Sequence, residues 1–570
     1  MENEKFAQIF LELASLLELA EDNPFKIRAY GKAAQSIESF SGSIEDIYKK
    51  GGLKALQEIP GVGQHIAEKI EEYILTNKVS AREKLLKQFP PKFLELLTIQ
   101  GMGPKTAVML RKKIGIDSVD KLAKAAKAGK LKGLAGMGEK KEQNILRGIE
   151  LKEKSRGRFL LSEATDYAHA LVEWLQKVKD IDKIMPAGSL RRGCETVGDL
   201  DILVTAKSSK KIMDHFVKFP EVAEVLAKGE TKSSVVLKNG MQADIRVVPP
   251  ASFGAAAHYF TGSKQHNIHL RELGVKKGLK VNEYGIFKGK NKIAGKTEEE
   301  MFKTFGFPFI PPELRENRGE WEAAQKNKLP KLIELKDIKG DLHIHSPATD
   351  GTDPIEKIAK VAKKLGYEYI AITDHTESTR VAGGLTEKEM LKHFEEIDKI
   401  NSKIKGITIL KGAEVDILPD GTLDYSNEVL KEMDIVLAAV HSRFKMPEKE
   451  MTDRICKALK NKYVKILTHP TGRLIGEREP YAVNLEKVLK VAADTGTHIE
   501  LNANPHRLDL NDIYCHKAKE LGVKVVIATD AHNADSLYLM YFGVITARRG
   551  WLEKKDVLNT LPLKNLLNLL

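Results

Sequence analysis

Two groups of residues have the types and spacing to do chemistry. The first is a series of histidines and carboxylates in the C-terminal part of the chain. His343 and His345 form an i, i+2 pair in GDLHIHS, with Asp350 shortly after. His375 closes YIAITDH, Glu414 lies in KGAEVDI, His441 closes DIVLAAVH, His469 closes VKILTH, and Asp530 and His532 end KVVIATDAH. Alternate residues of a strand face the same way, so such pairs can share a ligand. Six imidazoles and three carboxylates could hold two or three metal ions, and a nitrogen–oxygen donor set suits Zn2+ or Mn2+. Metals held this way favour attack on a phosphodiester. His393, His498, His506 and His516 fall outside the pattern and read as structural.

The second group lies in GSLRRGCETVGDLD, residues 188–201. Asp199 and Asp201 open an apolar run, so both carboxylates point to one face of a strand. Asp244, in QADIRVV, begins a later strand and could complete a site for two Mg2+ or Mn2+ ions. One ion would activate an attacking 3′-hydroxyl, and the other would grip a triphosphate. Gly188 and Ser189 would bring a helix N-terminus to the phosphates, with Arg192 adding charge-assisted bonds.

These residues need elements to hold them. After residue 337, seven strand-like runs alternate with helical stretches, which predicts a parallel α/β sheet closed into a barrel with the ligands at its C-terminal strand ends. Residues 184–250 read as mixed strands and helices. Residues 1–150 read as short amphipathic helices with Phe6, Ile9, Phe10, Leu13, Leu16 and Leu17 at helical spacing. Three segments there repeat one pattern: IPGVGQHIAEKI with Gly61 and Gly63, IQGMGPKTAVML with Gly101 and Gly103, and LAGMGEKKEQNIL with Gly136 and Gly138. Each glycine pair precedes a helix start that could hold a phosphate without reading a base.

Charge supports that division. Residues 338–570 hold 34 Lys and Arg against 34 Asp and Glu, so the net charge of +13 lies wholly in residues 1–337. A basic front half suits a polyanionic partner. Three cysteines are too few for a disulfide scaffold. Neither a signal peptide nor a run long enough for a membrane span is visible, so a cytoplasmic protein is expected.

The glycine repeats resemble helix–hairpin–helix DNA-binding motifs. Residues 188–201, together with AAAHYFTGSKQHNIHLRELGVKKGLKVNEYGIF (255–287), resemble the palm and thumb of family X DNA polymerases, the group that includes DNA polymerase beta. That resemblance implies nucleotide contacts from Gly198, Tyr259, Phe260, Gly262 and Asn267, and a template contact from Arg271. It also matches Lys69 to a Schiff-base lysine of a deoxyribose-phosphate lyase, supported by Lys26 and Tyr30. The series HxH…D…H…E…H…H…DxH resembles the polymerase and histidinol phosphatase (PHP) family, which implies a distorted (βα)7 barrel with a trinuclear site. Asp374, Arg473, Arg443 and Lys445 are further candidates around it.

The expected fold is a multidomain α/β chain. It comprises an 8-kDa-like helix–hairpin–helix domain (1–80), a second such domain (81–155), a nucleotidyltransferase palm (156–250), a nucleotide-selection subdomain (251–310), a linker (311–337) and the PHP barrel (338–570). The resemblance implies a monomeric repair polymerase that fills short gaps in base excision repair. Its partners would be gapped or nicked DNA and dNTPs, with no membrane involved. A 3′–5′ exonuclease would occupy the barrel, and abasic-site incision or 3′-phosphate removal are also implied. The alternative is a repair nuclease whose palm only positions DNA.

Overall fold

The computed structural model describes the chain except residues 1, 39–43, 60, 100–101, 133, 135–136, 138–140, 143–144, 147–148, 150–156 and 207. Two compact units emerge: residues 1–156 with 351–354 and 476–479, and residues 157–350, 355–475 and 480–570. Among the described residues, no helix is long and apolar enough to cross a membrane.

The first unit is helical. In α1 (Glu2–Leu19), Phe6, Phe10, Leu13 and Leu17 recur at three- and four-residue steps and are buried together with Tyr30, Ile37 and Ile70. Leu16 and Leu19 of the same helix instead join a second core with Phe93, Leu110 and Leu122. The first helix therefore serves both cores, across the division expected near residue 80. Helices α2 (Gln64–Thr76) and α3 (Pro104–Ile114) follow the first two glycine pairs, with Gly63 and Gly103 as their N-caps. Gly61 has φ +77°, a conformation that only glycine adopts cheaply. Gly101, Gly136 and Gly138 lie outside the described residues.

The second unit begins with a five-stranded mixed sheet. Its strands are β1 (Ile181–Pro186), β2 (Asp199–Ala206), β3 (Val222–Lys228), β4 (Lys232–Leu237) and β5 (Gln242–Val247), in the order β1-β2-β5-β4-β3. Only β2 and β5 run parallel, and their register sets Asp201 directly beside Asp244. The short helix α4 (Gly188–Arg191) links β1 towards β2, while α5 (Phe253–Thr261) and α6 (Lys264–Lys276) follow β5.

Residues 311–337, expected as a linker, are packed. Leu314, Trp321 and Ala324 are buried with Phe302 and Leu270. Arg315 is fully buried and donates to Glu298 at 2.6 Å, and Glu320 meets His266 at 2.8 Å beneath a stack of Trp321 on His266. Counting prolines and charges misreads this segment because Arg315 and Glu320 are satisfied inside the protein while its other charges stay at or near the surface. A buried ion pair offsets the desolvation that would otherwise keep such residues outside.

The barrel strands are β6 (Gly340–Ile344), β7 (Tyr369–Ile372), β8 (Thr408–Asp416), β9 (Ile435–Ala439), β10 (Val464–Leu467), β11 (His498–Asn502) and β12 (Val525–Ala528). All seven are parallel and paired in chain order, and a single bridge between Ile344 and Ala531 joins the last to the first. Leu342, Tyr369, Leu410, Leu437, Ile466 and Val526 fill the interior, while Ile370, Ile409 and Val436 face the outer helices. A register shift in β6 between Asp341 and Ile344 breaks this alternation, as bulges beside sites do. It leaves Leu342 inside and turns His343 and His345 to the open end.

Candidate active sites

The first centre sits where β2 and β5 run side by side. Asp199 and Asp201 alternate on β2, and Asp244 occupies the neighbouring strand at the level of Asp201. Asp201 is pushed up to about 6 by burial and by the charges of Asp199 and Asp244, with Arg246 and Lys232 acting against that rise. Burial also raises Asp244, but hydrogen bonds from Lys232 (2.6 Å), Gln242 (2.9 Å) and Ser234 outweigh it and hold its carboxyl below the usual range. Three crowded carboxylates, one of them already drawn onto a lysine, suit divalent cations.

The turn at Gly188 closes over this group. Gly188 has φ +62°, and a Cβ there would lie 2.9 Å from the Asp201 Oδ2. Gly188→Ala is therefore expected to lower kcat/KM for nucleotide addition by roughly 10²-fold, the cost of a reacting group misplaced by an ångström. Steady-state extension of a labelled primer would check this, with the barrel's nuclease activity as the internal control. Ser189 follows in the first turn of α4, and Gly198 immediately precedes β2.

The other expected nucleotide contacts gather around the same turn. The Tyr259 and Phe260 rings meet edge to face at 5.1 Å, and the Arg246 guanidinium lies 4.4 Å over Phe260. Asn267 donates to the Tyr259 carbonyl at 2.7 Å, and Arg271 lies exposed one turn further along α6. Gly262 has φ +71°, and its missing Cβ leaves room 3.2 Å from the Arg192 Nη1. Arg192 itself is engaged: Nε donates to Glu316 at 2.9 Å and Nη1 to the Thr261 carbonyl at 2.5 Å.

The second centre lies at the C-terminal ends of the barrel strands, and it unites all nine expected residues. Glu414 is its hub. Its Oε2 lies 3.1 Å from His375, 3.5 Å from His343 and 3.6 Å from His345, and its Oε1 lies 2.7 Å from His469 and 3.3 Å from His441. Asp350 lies 3.3 Å from His532, 3.5 Å from His375 and 3.7 Å from His345. Asp530 lies 3.1 Å from His345 and 3.6 Å from His343. Three overlapping sets can each surround an ion: His345, Asp350, His375 and His532; His343, His345 and Asp530; and His375, Glu414 and His441. The fully buried His345 Nδ1 makes no hydrogen bond among the described residues, and a metal would satisfy it.

The charges suit cations as well. Burial pushes Glu414 up, but His441, His343, His375 and His469 more than reverse this and keep it ionised well below the usual carboxylate range. Burial pushes His343 down, and Glu500, Asp530 and Glu414 carry it well above its ordinary value.

Residues 159–258 match the DNA polymerase beta palm, 256–316 the DNA polymerase beta thumb and 341–504 the PHP domain. Residues 1–79 match a helix–hairpin–helix domain, and residues 93–152 match a SAM-like helix–hairpin–helix tandem. The DNA polymerase/3′-5′ exonuclease PolX of Bacillus subtilis is 40% identical over 570 residues, covering 99% of this chain and 98% of its own length. The chain belongs to the PolX family. A probable phosphatase of Caldanaerobacter subterraneus subsp. tengcongensis is 32% identical over 203 residues, which span 34% of this chain and 75% of its own.

The PHP match ends at residue 504, yet β12 brings Asp530 and His532 into the same cluster. Four residues that hold its ligands went unnoticed in the sequence. Glu500 reaches His343 Nδ1 at 2.6 Å and accepts from the His469 backbone at 2.6 Å, while Asp416 meets His441 Nδ1 at 2.9 Å. Asn502 donates to Asp530 at 3.1 Å, and Arg507 lies 3.6 Å from Asp530. Such partners fix the orientation of an imidazole and raise its basicity. Asp374 plays a related part, accepting from Ser346 and Thr349 and meeting His393 at 2.9 Å. His393, read as structural, thus reaches the PolX barrel site through Asp374 and Thr349, whose hydroxyl lies 3.4 Å from Asp350. Arg443 and Lys445 are exposed, and Arg473 is engaged with Glu195 and two backbone carbonyls. In the first unit, Lys69 lies on α2 with its ion pair to Glu72 at 3.6 Å.

Proposed function

We propose that this chain is a DNA-directed DNA polymerase that fills short gaps, such as those left in base excision repair, and that its barrel removes nucleotides from 3′ ends. The observation that carries the first activity is the register that sets Asp201 beside Asp244 under the Gly188 turn. The second rests on eight candidate ligands grouped at one barrel end, with His469 2.7 Å from Glu414 as the ninth. Similarity along 99% of the chain to a protein named for both activities supports the pairing. The substrates would be gapped or nicked DNA and dNTPs. Each centre draws its residues from a single chain, so a monomer suffices.

Asp199, Asp201 and Asp244 would hold Mg2+ or Mn2+, which when bound lowers the pKa of a 3′-hydroxyl and neutralises triphosphate charge. Gly188 and Ser189 present backbone N–H groups to the phosphates at the start of α4. Tyr259 and Phe260 form a wall at the end of α5, fixed by Asn267 on one side and Arg246 on the other. The hairpins Gly61–Gly63 and Gly101–Gly103 would grip the DNA backbone, and they provide no base readout.

In the barrel, the nine ligands would hold two or three Mn2+ or Zn2+ ions, which when bound supply a nucleophile at neutral pH and polarise a phosphodiester. Glu500 and Asp416 keep His343 and His441 oriented. The buried floor of Leu437 and Ile466 closes the interior beneath the site.

A time course on 5′-phosphorylated DNA with a one-nucleotide gap, with Mn2+ and a labelled primer, tests both activities. Extension is expected with dNTPs and shortening without them. Shortening alone would favour a nuclease with a DNA-positioning palm. Extension alone would remove the 3′-end activity from the barrel.

A further inference from the structure

The loop that carries Gly188, Ser189 and Arg192 is held from the side of the barrel. Helix α7 (Met540–Arg549), which follows β12, packs directly against it. Gly193 has φ +65°, and a Cβ there would lie 2.1 Å from the Ile545 Cγ2, so the helix fills the space that any larger residue would need. One turn later on the same face, Arg549 donates from Nη1 to the Arg192 carbonyl at 2.8 Å. The same Nη1 donates to the Glu316 Oε1 at 2.9 Å, the oxygen that also accepts from the Arg192 Nε at 2.9 Å. The Arg549 Nη2 is fixed by Asp512 at 2.9 Å, which Arg318 also approaches at 3.0 Å. Arg473 of the barrel reaches Glu195 of the loop at 2.7 Å.

Glu316 is thus one carboxylate shared by two guanidiniums. Arg192 faces the nucleotide turn, and Arg549 is 8% exposed and locked on both sides. If Arg192 is to reach a triphosphate, its Nε must leave Glu316. Glu316 is partly buried, and a carboxylate so placed is costly to leave without its only cation, whereas one still held by a second cation is not.

We infer that Arg549 is a positioning residue for nucleotide binding: it keeps Glu316 neutralised so that Arg192 can exchange the carboxylate for the incoming triphosphate. This rests on the nucleotide-addition reading above. The barrel then contributes to polymerisation as well as to hydrolysis, by setting how readily the palm releases its phosphate-binding arginine.

The test is dNTP kinetics of single-nucleotide gap filling with the full chain. Arg549→Met should raise KM for dNTP roughly tenfold, with kcat changed less than twofold and 3′-end removal unchanged. Arg549→Lys, which keeps the charge, should restore most of the affinity. Glu316→Gln, which loosens the hold on Arg192, should leave KM at or below the wild-type value and should cancel the defect when combined with Arg549→Met. A merely structural role predicts no such rescue. An unchanged KM in Arg549→Met, or a defect that Glu316→Gln does not relieve, would overturn the inference while wild-type extension keeps the polymerase reading intact. Should Arg549→Met fail to fold, a raised KM in Glu316→Gln alone would overturn it equally. Absence of extension by the wild type would remove both.

Discussion

Exchanging Asp201 for asparagine is expected to reduce nucleotide addition by roughly 10³-fold, of the order seen when a charge-stabilising group is lost from a reaction centre, and to leave 3′-end removal within about twofold. The two side chains have nearly the same shape, so β2 keeps its pairing with β5 and the Gly188 turn keeps its neighbour. What is lost is one negative charge from a group of three. Burial and the two other carboxylates already disfavour ionised Asp201, so the amide is not expected to destabilise the fold. The effect should therefore fall on metal-dependent chemistry. Single-turnover extension of a labelled primer measures it, and the barrel's activity on the same DNA reports that the chain is folded. Asp199→Ala should behave in the same way. Loss of both activities in a folded Asp201→Asn protein would sink the claim of two separate centres.

The chemistry was easier to read in the sequence than the framework around it. His375, His441, His469 and Asp530 each close an apolar run, because a parallel strand buried on both faces is apolar up to the end where it meets solvent. That is why the seven strands, and the candidate ligands that close them, were legible in the sequence. Glu500 and Asn502 obey the same i, i+2 rule at the end of β11. They were missed because the histidine on their strand, His498, opens it at the end away from the candidate ligands, and residues that support a ligand carry no metal signature of their own. Residues 311–337 failed for the opposite reason. Their prolines and charges resemble a linker, but Arg315 and Glu320 are satisfied by Glu298 and His266, which lie outside the segment, 17 and 54 residues before them. Arg192 and Arg549 lie 357 residues apart. Only the fold shows that a barrel residue holds the nucleotide loop. Pairings of that kind depend on tertiary proximity, to which local periodicity is blind.

Glu414→Gln is expected to abolish 3′-end removal, with a loss of at least about 10³-fold, while gap filling continues. Glu414 is the carboxylate closest to the centre of the cluster, with five imidazoles within 3.6 Å of its two oxygens. Asp350 and Asp530, the other two carboxylates of the cluster, each approach only three imidazoles. An amide keeps the volume of the side chain but offers no charge to offset a cation, and its NH2 would face imidazoles that need their lone pairs for metal. Loss of metal is therefore the expected cause of lost activity, and it can be measured without any nuclease assay. Ions that bind only the folded chain raise its melting temperature by mass action. Added Mn2+ should raise Tm in the wild type and should do so far less in Glu414→Gln, and metal analysis after dialysis should show fewer ions per chain. The chain should still fold, since imidazoles left without Glu414 can shed their protons and become neutral. If Glu414→Gln kept both the Mn2+-dependent rise in Tm and the 3′-end activity, the nine residues would not form one functional metal cluster. If it kept the rise but lost the activity, Glu414 would act on the substrate and not as the ligand that joins the ions.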